Sequence, residues 1–220
     1  MAIWEVMNSG GWMMWVILIV SVIATAITLE RAVALYLGCR LDTRRFLGRI
    51  IKLVEERDYA GAIEACNLRT RHPLPAVLLA GLSKANRRDK EIEKAMEAEM
   101  LGHLPRVRRG LGFLGLLGNV ATLLGLLGTI FGLIRAFSGV SAASAAARQQ
   151  VLAEGISIAM YTTAFGILVA VPILFAHNLL SGRMENILIR VEEGAVGLVA
   201  ALGARMQRDA PQQPMDRHVA

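Results

Sequence analysis

Along the chain, long stretches without charge alternate with stretches where apolar residues recur every three or four positions. Three windows hold no Asp, Glu, Lys or Arg: 6–29, 111–134 and 155–182. Each exceeds the roughly 20 residues that take a helix across about 30 Å of hydrocarbon, so the pattern predicts three membrane-spanning helices. A further apolar run, 194–203, is too short to span. Between the first two windows the pattern becomes amphipathic. Leu47, Ile50, Ile51 and Val54 recur at helical spacing with charges on the other face, which predicts a helix over 43–57. Asp58 is placed to cap a second helix over 59–67. The HPLP stretch at 72–75 is expected to break the chain before a third over 76–85, and a charged run over 87–103 leads to Pro105.

Composition agrees with a membrane protein, since 55% of the 220 residues are hydrophobic. Charge then orients it. Of 24 Lys and Arg, 16 lie between Arg40 and Arg109 and five more from Arg183 onward, whereas the segment before the first span has none. The positive-inside rule places the N-terminus outside and the long loop and C-terminus inside. The first window lacks a basic n-region, because Glu5 and Arg31 are the first charged and first basic residues, so it reads as a retained span. Trp4, Trp12 and Trp15 cluster at its outer end, as interfacial tryptophans do.

The fold class expected is all-α: a polytopic membrane protein with three transmembrane helices and a helical cytoplasmic module. The organisation expected is an outer N-terminus and first span over 1–37, a cytoplasmic helical loop over 38–110, and the second span over 111–137. A short outer connection follows over 138–154, then the third span over 155–182. A cytoplasmic helical extension over 183–208 and a disordered, Pro-rich tail over 209–220 complete it.

The net charge of +6 is a topology signal, and no basic stripe with interleaved aromatics points to nucleic acid. No hydrolase elbow, zinc-protease motif, P-loop or cluster of His and Cys occurs, so no enzyme, cofactor or metal site is expected. Cys39 and Cys66 fall on the reducing side and match no metal or redox spacing, which makes them structural. His72, His103, His177 and His218 are scattered. Of these, His177 sits at the inner end of the third span, where a histidine can take part in ion movement.

The spans themselves are unusual. At 100° per residue, Gly118, Thr122, Gly125, Thr129 and Gly132 fall on one face of the second, opposite Leu116, Leu123, Leu127, Ile130 and Ile134. In the third, Gly155, Ala159, Thr162, Thr163, Gly166 and Ala170 share a face, with Pro172 beyond them as an expected kink. Small residues let helix backbones approach closely in lipid. Two arrangements satisfy them: a tight pair within one subunit, or a lumen lined by several copies that holds another slender helix. The interior of every span lacks Asp, Glu, Lys and Arg, whereas proton and ion pathways normally carry an ionisable residue at depth. A conducting protein of this kind needs a titrating group from a partner.

These motifs together resemble the MotA/TolQ/ExbB proton channel family, in its three-span ExbB/TolQ-like branch. The matching residues are LER at 29–31, EAC…HPLPAVLLAGL at 64–82, LPRVRRGLGFL at 104–114, LLGLLGTIFGLIRAF at 123–137 and LAEGISIAMYTTAFGILVAVP at 152–172. The resemblance implies a bacterial inner-membrane stator subunit, a homo-oligomer of five copies around single-span ExbD/TolR-like partners that each carry a membrane aspartate. Ion flow, driven by the proton-motive force, then energises envelope machinery such as a TonB/TolA-like or motility component. A scaffold of the same fold without ion flux is the alternative. Carried over to this chain, Thr129 and Thr163 match threonines that face the partner aspartate, with Thr122 and Thr162 beside them. Pro172 matches the proline after the TTA motif. Ile158 departs from the pattern, since ExbB and TolQ relatives usually place a glutamate there. Glu154, one turn earlier and nearer the outer mouth, is the candidate substitute, with His177 at the other end.

Overall fold

The computed structural model describes residues 11–39, 41–68, 70–142 and 144–209. Trp4, His218 and the tail from residue 210 lie outside them. The expected tryptophan cluster is therefore described only at Trp12 and Trp15. The elements are α1 (Trp12–Ala32), a π-helical continuation (Val33–Gly38), α2 (Thr43–Glu55), α3 (Tyr59–Cys66), α4 (Leu74–Leu82), α5 (Asp89–Arg108), α6 (Leu111–Ala142) and α7 (Arg148–Asp209). The described residues form no strand. Among the described residues, three helices are long and apolar enough to cross a membrane. Both later spans extend as helix beyond their charge-free windows.

Two compact units interleave along the chain, one drawn from 1–34 and 108–182, the other from 35–107 and 183–220. In the first, α1 packs on α6. Met13, Met14, Ile17 and Ala24 are buried on α1, and the Trp12 ring meets Phe131 edge-on at 5.9 Å. Gly110, just before α6, has φ 75°, a left-handed value that a residue with a Cβ adopts only with strain. A Cβ there would also stand 3.3 Å from Nε of buried Arg31, whose guanidinium donates to Glu30 at 2.6 Å. The outer faces of α6 and α7 expose Leu123, Ile134, Met160, Leu168 and Phe175. An apolar surface of that extent belongs against lipid or another helix.

The second unit has its own core. Ile50 and Val54 of α2, Ala62 and Cys66 of α3, and Leu74, Val77, Leu78 and Leu82 of α4 meet Ile92 and Met96 of α5. Val191, Leu198 and Leu202 of α7 close the same cluster. Acidic caps start the short helices: Asp42 accepts from the Arg45 N–H at 3.3 Å, and Asp58 from the Gly61 N–H at 2.8 Å. Such caps satisfy donors that the first helical turn leaves unpaired.

Three expectations are corrected here. The helix expected over 43–57 stops at Glu55, because Arg57 takes a left-handed φ of 69°. The prolines at 73 and 75 begin a helix rather than precede it: Pro73 is its cap, and Pro75 lies in the first turn, where a missing N–H costs nothing. Pro105 does not interrupt the chain either. It lies within α5, where the Leu101 carbonyl goes without its helical N–H, yet the helix runs on to Arg108 and the break falls at Gly110 instead.

Candidate functional site

The candidate face is built where α6 and α7 meet within one chain. Gly125 and Gly166 oppose each other with no side chain between them. A Cβ on Gly166 would stand 2.8 Å from the Gly125 Cα and 2.9 Å from the carbonyl oxygen of fully buried Ala121. Gly132 packs on Ala159 and Gly155 on Ala136. Gly118 meets the Leu174 side chain, and Ala159 and Ala170 are both buried. Of the two arrangements open from sequence, these residues use the tight pair within the subunit.

The hydroxyls separate from the glycines. Thr122 is exposed and Thr129 half-buried, some 40–60° further round α6 from Gly125 at 100° per residue. Asn119 is exposed and adjoins Thr122 on that outward face. Thr162 is 1% exposed, held in the seam against Gly128, and its hydroxyl donates to the carbonyls of Ile158 (3.0 Å) and Ala159 (2.9 Å). Thr163 crosses the seam, donating to Gly125 O at 3.3 Å and to Ala159 O at 3.2 Å. Thr129 donates to Leu126 O at 2.6 Å and Thr122 to Gly118 O at 3.3 Å. Each hydroxyl proton is thus committed to backbone, which leaves oxygen lone pairs to accept from a protonated acid or water.

The remaining candidates lie apart. Glu154 is exposed near the start of α7. Pro172 is exposed within the continuous α7. His177 is half-buried against Gly115, where a Cβ would stand 3.1 Å from its Nε2, and Nε2 lies 3.4 Å from the Ser181 hydroxyl. Ile158 lines a cavity of about 330 Å³ with Trp12, Phe131, Arg135 and Thr162. Sequence reasoning did not single out Asn119 or Gly128. A lone amide inside a charge-free window was the available signal for the first, while Gly128 lies off the small-residue face and is found only from the packing.

Outside the spans, His72 is buried and its imidazole is pushed down to about 4, first by burial and then by Arg183 and Arg190. Its Nδ1 accepts from the Leu74 N–H at 3.2 Å, which puts the proton of the neutral ring on Nε2. Burial pushes the Cys66 thiol up to about 11. Cys39 is raised by the same cause, against the opposing pull of Arg183 and Arg71.

Known proteins match this architecture. An ExbB homolog of Methanothermobacter thermautotrophicus is 29% identical over 192 residues, which cover 86% of this chain and 66% of that one. The biopolymer transport protein exbB1 of Vibrio cholerae is 39% identical over 83 residues, 38% of this chain and 36% of that one. The chain thus spans less than two thirds of either. A biopolymer transport protein ExbB-like 3 of Synechocystis is 31% identical over 184 residues, covering 86% of its length. In the solved structure of C. jejuni MotAB, one chain shares the fold with a TM-score of 0.59 at 16% identity, covering 89% of this chain and 82% of that one. The model of the MotA/TolQ/ExbB proton channel family matches residues 69–193. This multi-pass helical chain belongs to the MotA/TolQ/ExbB proton channel family.

Proposed function

We propose that this chain is the channel and stator subunit of a motor in a bacterial inner membrane, driven by the proton-motive force. Several copies, five in the reading implied by the family, surround the spans of an ExbD/TolR-like partner whose membrane aspartate carries the proton. The N-terminus lies outside and the C-terminus inside. The partner passes the work to an envelope component of the TonB/TolA or motility kind.

One observation carries the reading. Thr122, Thr129 and Thr163 place hydroxyl oxygens in spans that contain no carboxylate, lysine or arginine in their charge-free windows. Their protons are committed to backbone, so they serve a proton carrier as acceptors and never as its source. Asn119 adds an amide on the outward face of α6. The glycine seam holds α6 and α7 close, and the exposed apolar faces remain for lipid, neighbouring copies and partner spans.

The test is reconstitution in proteoliposomes under a potential. The chain alone is expected to pass no protons. Co-purified with its single-span partner it is expected to conduct, and to stop when the partner's membrane aspartate becomes asparagine. A stable complex that never conducts would replace the motor reading with that of a scaffold of the same fold.

A further inference from the structure

We propose that a polar hollow in the second unit, lined by Arg44, Arg183, Arg190 and His72, binds a phosphate oxyanion, either the headgroup of an anionic lipid or free phosphate. The hollow has a volume of about 420 Å³. Three arginines line it, and Asp42 is its one acidic lining residue. That carboxylate is already engaged, accepting from the Arg45 N–H at 3.3 Å and pairing with Arg45 Nε at 3.2 Å. Among the described residues, Arg44, Arg183 and Arg190 have no ion pair with a carboxylate. Like charges so gathered repel one another and call for an anion.

Arg183 supplies an independent sign. Its Nε is buried without a hydrogen-bond partner, and its guanidinium lies 5.5 Å from the centroid of the Tyr36 ring. The ring steadies the guanidinium plane, while the buried N–H, out of reach of solvent, lacks an acceptor. Guanidinium forks match phosphate oxygens in geometry as well as charge. The same positive field reaches His72, where Arg183 and Arg190 add to burial in keeping the ring neutral.

Position along the chain brings a lipid within reach. Arg183 directly follows the charge-free window 155–182, so it stands where a span ends. Basic pockets at such boundaries suit anionic headgroups. The inference is independent of proton transport, and a failed flux assay leaves it standing.

The test uses the full chain in an uncharged detergent, with bound species counted by native mass spectrometry after addition of phosphatidylglycerol, diacylglycerol or inorganic phosphate. Arg44→Gln and Arg190→Gln alter exposed side chains and leave the core alone. Each is expected to weaken phosphatidylglycerol or phosphate binding about tenfold, as loss of a charge-assisted contact does. Arg88→Gln, an exposed change of equal charge elsewhere in the unit, is expected to leave binding intact. Phosphatidylglycerol retained against excess phosphate assigns a lipid; phosphate that displaces it or binds alone assigns the free anion. Absence of both, equal binding by diacylglycerol, or equal loss in Arg88→Gln would overturn the proposal.

Discussion

Gly125 and Gly166 meet backbone to backbone, so that a Cβ on either would stand 3.2 Å or less from the other's Cα. Neither backbone can move aside without shifting a whole span. Gly166→Ala is therefore expected to destabilise the folded chain by about 1–3 kcal/mol through overpacking. Gly112→Ala in α6, where nothing lies within 4 Å of the new methyl, is expected to be neutral or stabilising. Thermal melting of both variants in detergent separates the two cases. Equal melting points would show that the seam yields.

Thr163→Val removes the hydroxyl bond that joins α7 to Gly125 O of α6 at 3.3 Å. Such bonds in membranes are worth about 0.6 kcal/mol on average, so assembly with the partner is expected to survive. Transport is the sensitive quantity. A potential supplies about 2.3 kcal/mol per charge per 100 mV, close to the roughly 2.5–3.5 kcal/mol that insertion scales assign to a charged aspartate at mid-bilayer. Valine is expected to stop ion-driven work in assembled complexes, and the double variant with Thr129→Val more completely. Full flux in that double variant would end the hydroxyl pathway.

The buried imidazole of His72 makes the second unit sensitive to acid. Its folded value of about 4 lies below the ordinary 6.5, so the unfolded chain binds the proton more readily. Stability is therefore complete above about pH 6.5 and declines as pH falls toward 4, by on the order of 3 kcal/mol from this group. His72→Gln is expected to flatten the decline in melting temperature between pH 7 and pH 4.5. An unchanged slope would remove His72 as its source.

Topology is read best with introduced cysteines. Cys66 is 3% exposed with its thiol pushed up to about 11, so it is expected to stay unlabelled whether or not the membrane is open. Ser144→Cys is expected to react with an impermeant maleimide in intact cells, and Lys90→Cys only after the membrane is breached. The reverse order would invert the proposed orientation.

The spans were legible because absence of charge over more than 20 residues has few physical causes. The Asp58 cap was legible too, since a carboxylate before a helical period leaves its N–H donors an evident partner. The extent of α5 was not. Pro105 reads as a breaker from its chemistry, yet α5 accommodates the one missing N–H and runs on to Arg108. The small-residue face was half legible. Helical periodicity groups Gly118, Thr122, Gly125, Thr129 and Gly132, but the seam is turned toward Gly128 and leaves Thr122 and Thr129 at its outer edge. Which edge is buried depends on where α7 lies, and no periodicity in α6 encodes that.

The seam also decides which of its lesions a second mutation can repair. A methyl added at Gly118 would collide with the Leu174 side chain, at 2.7 Å from its Cδ2, so trimming Leu174 to alanine restores the space. A methyl added at Gly166 collides with backbone, and position 125 already carries the smallest residue there is. Genetic suppressors of Gly118→Ala are thus expected at the facing residue, while those of Gly166→Ala must arise at a distance, from changes that let the two helices separate.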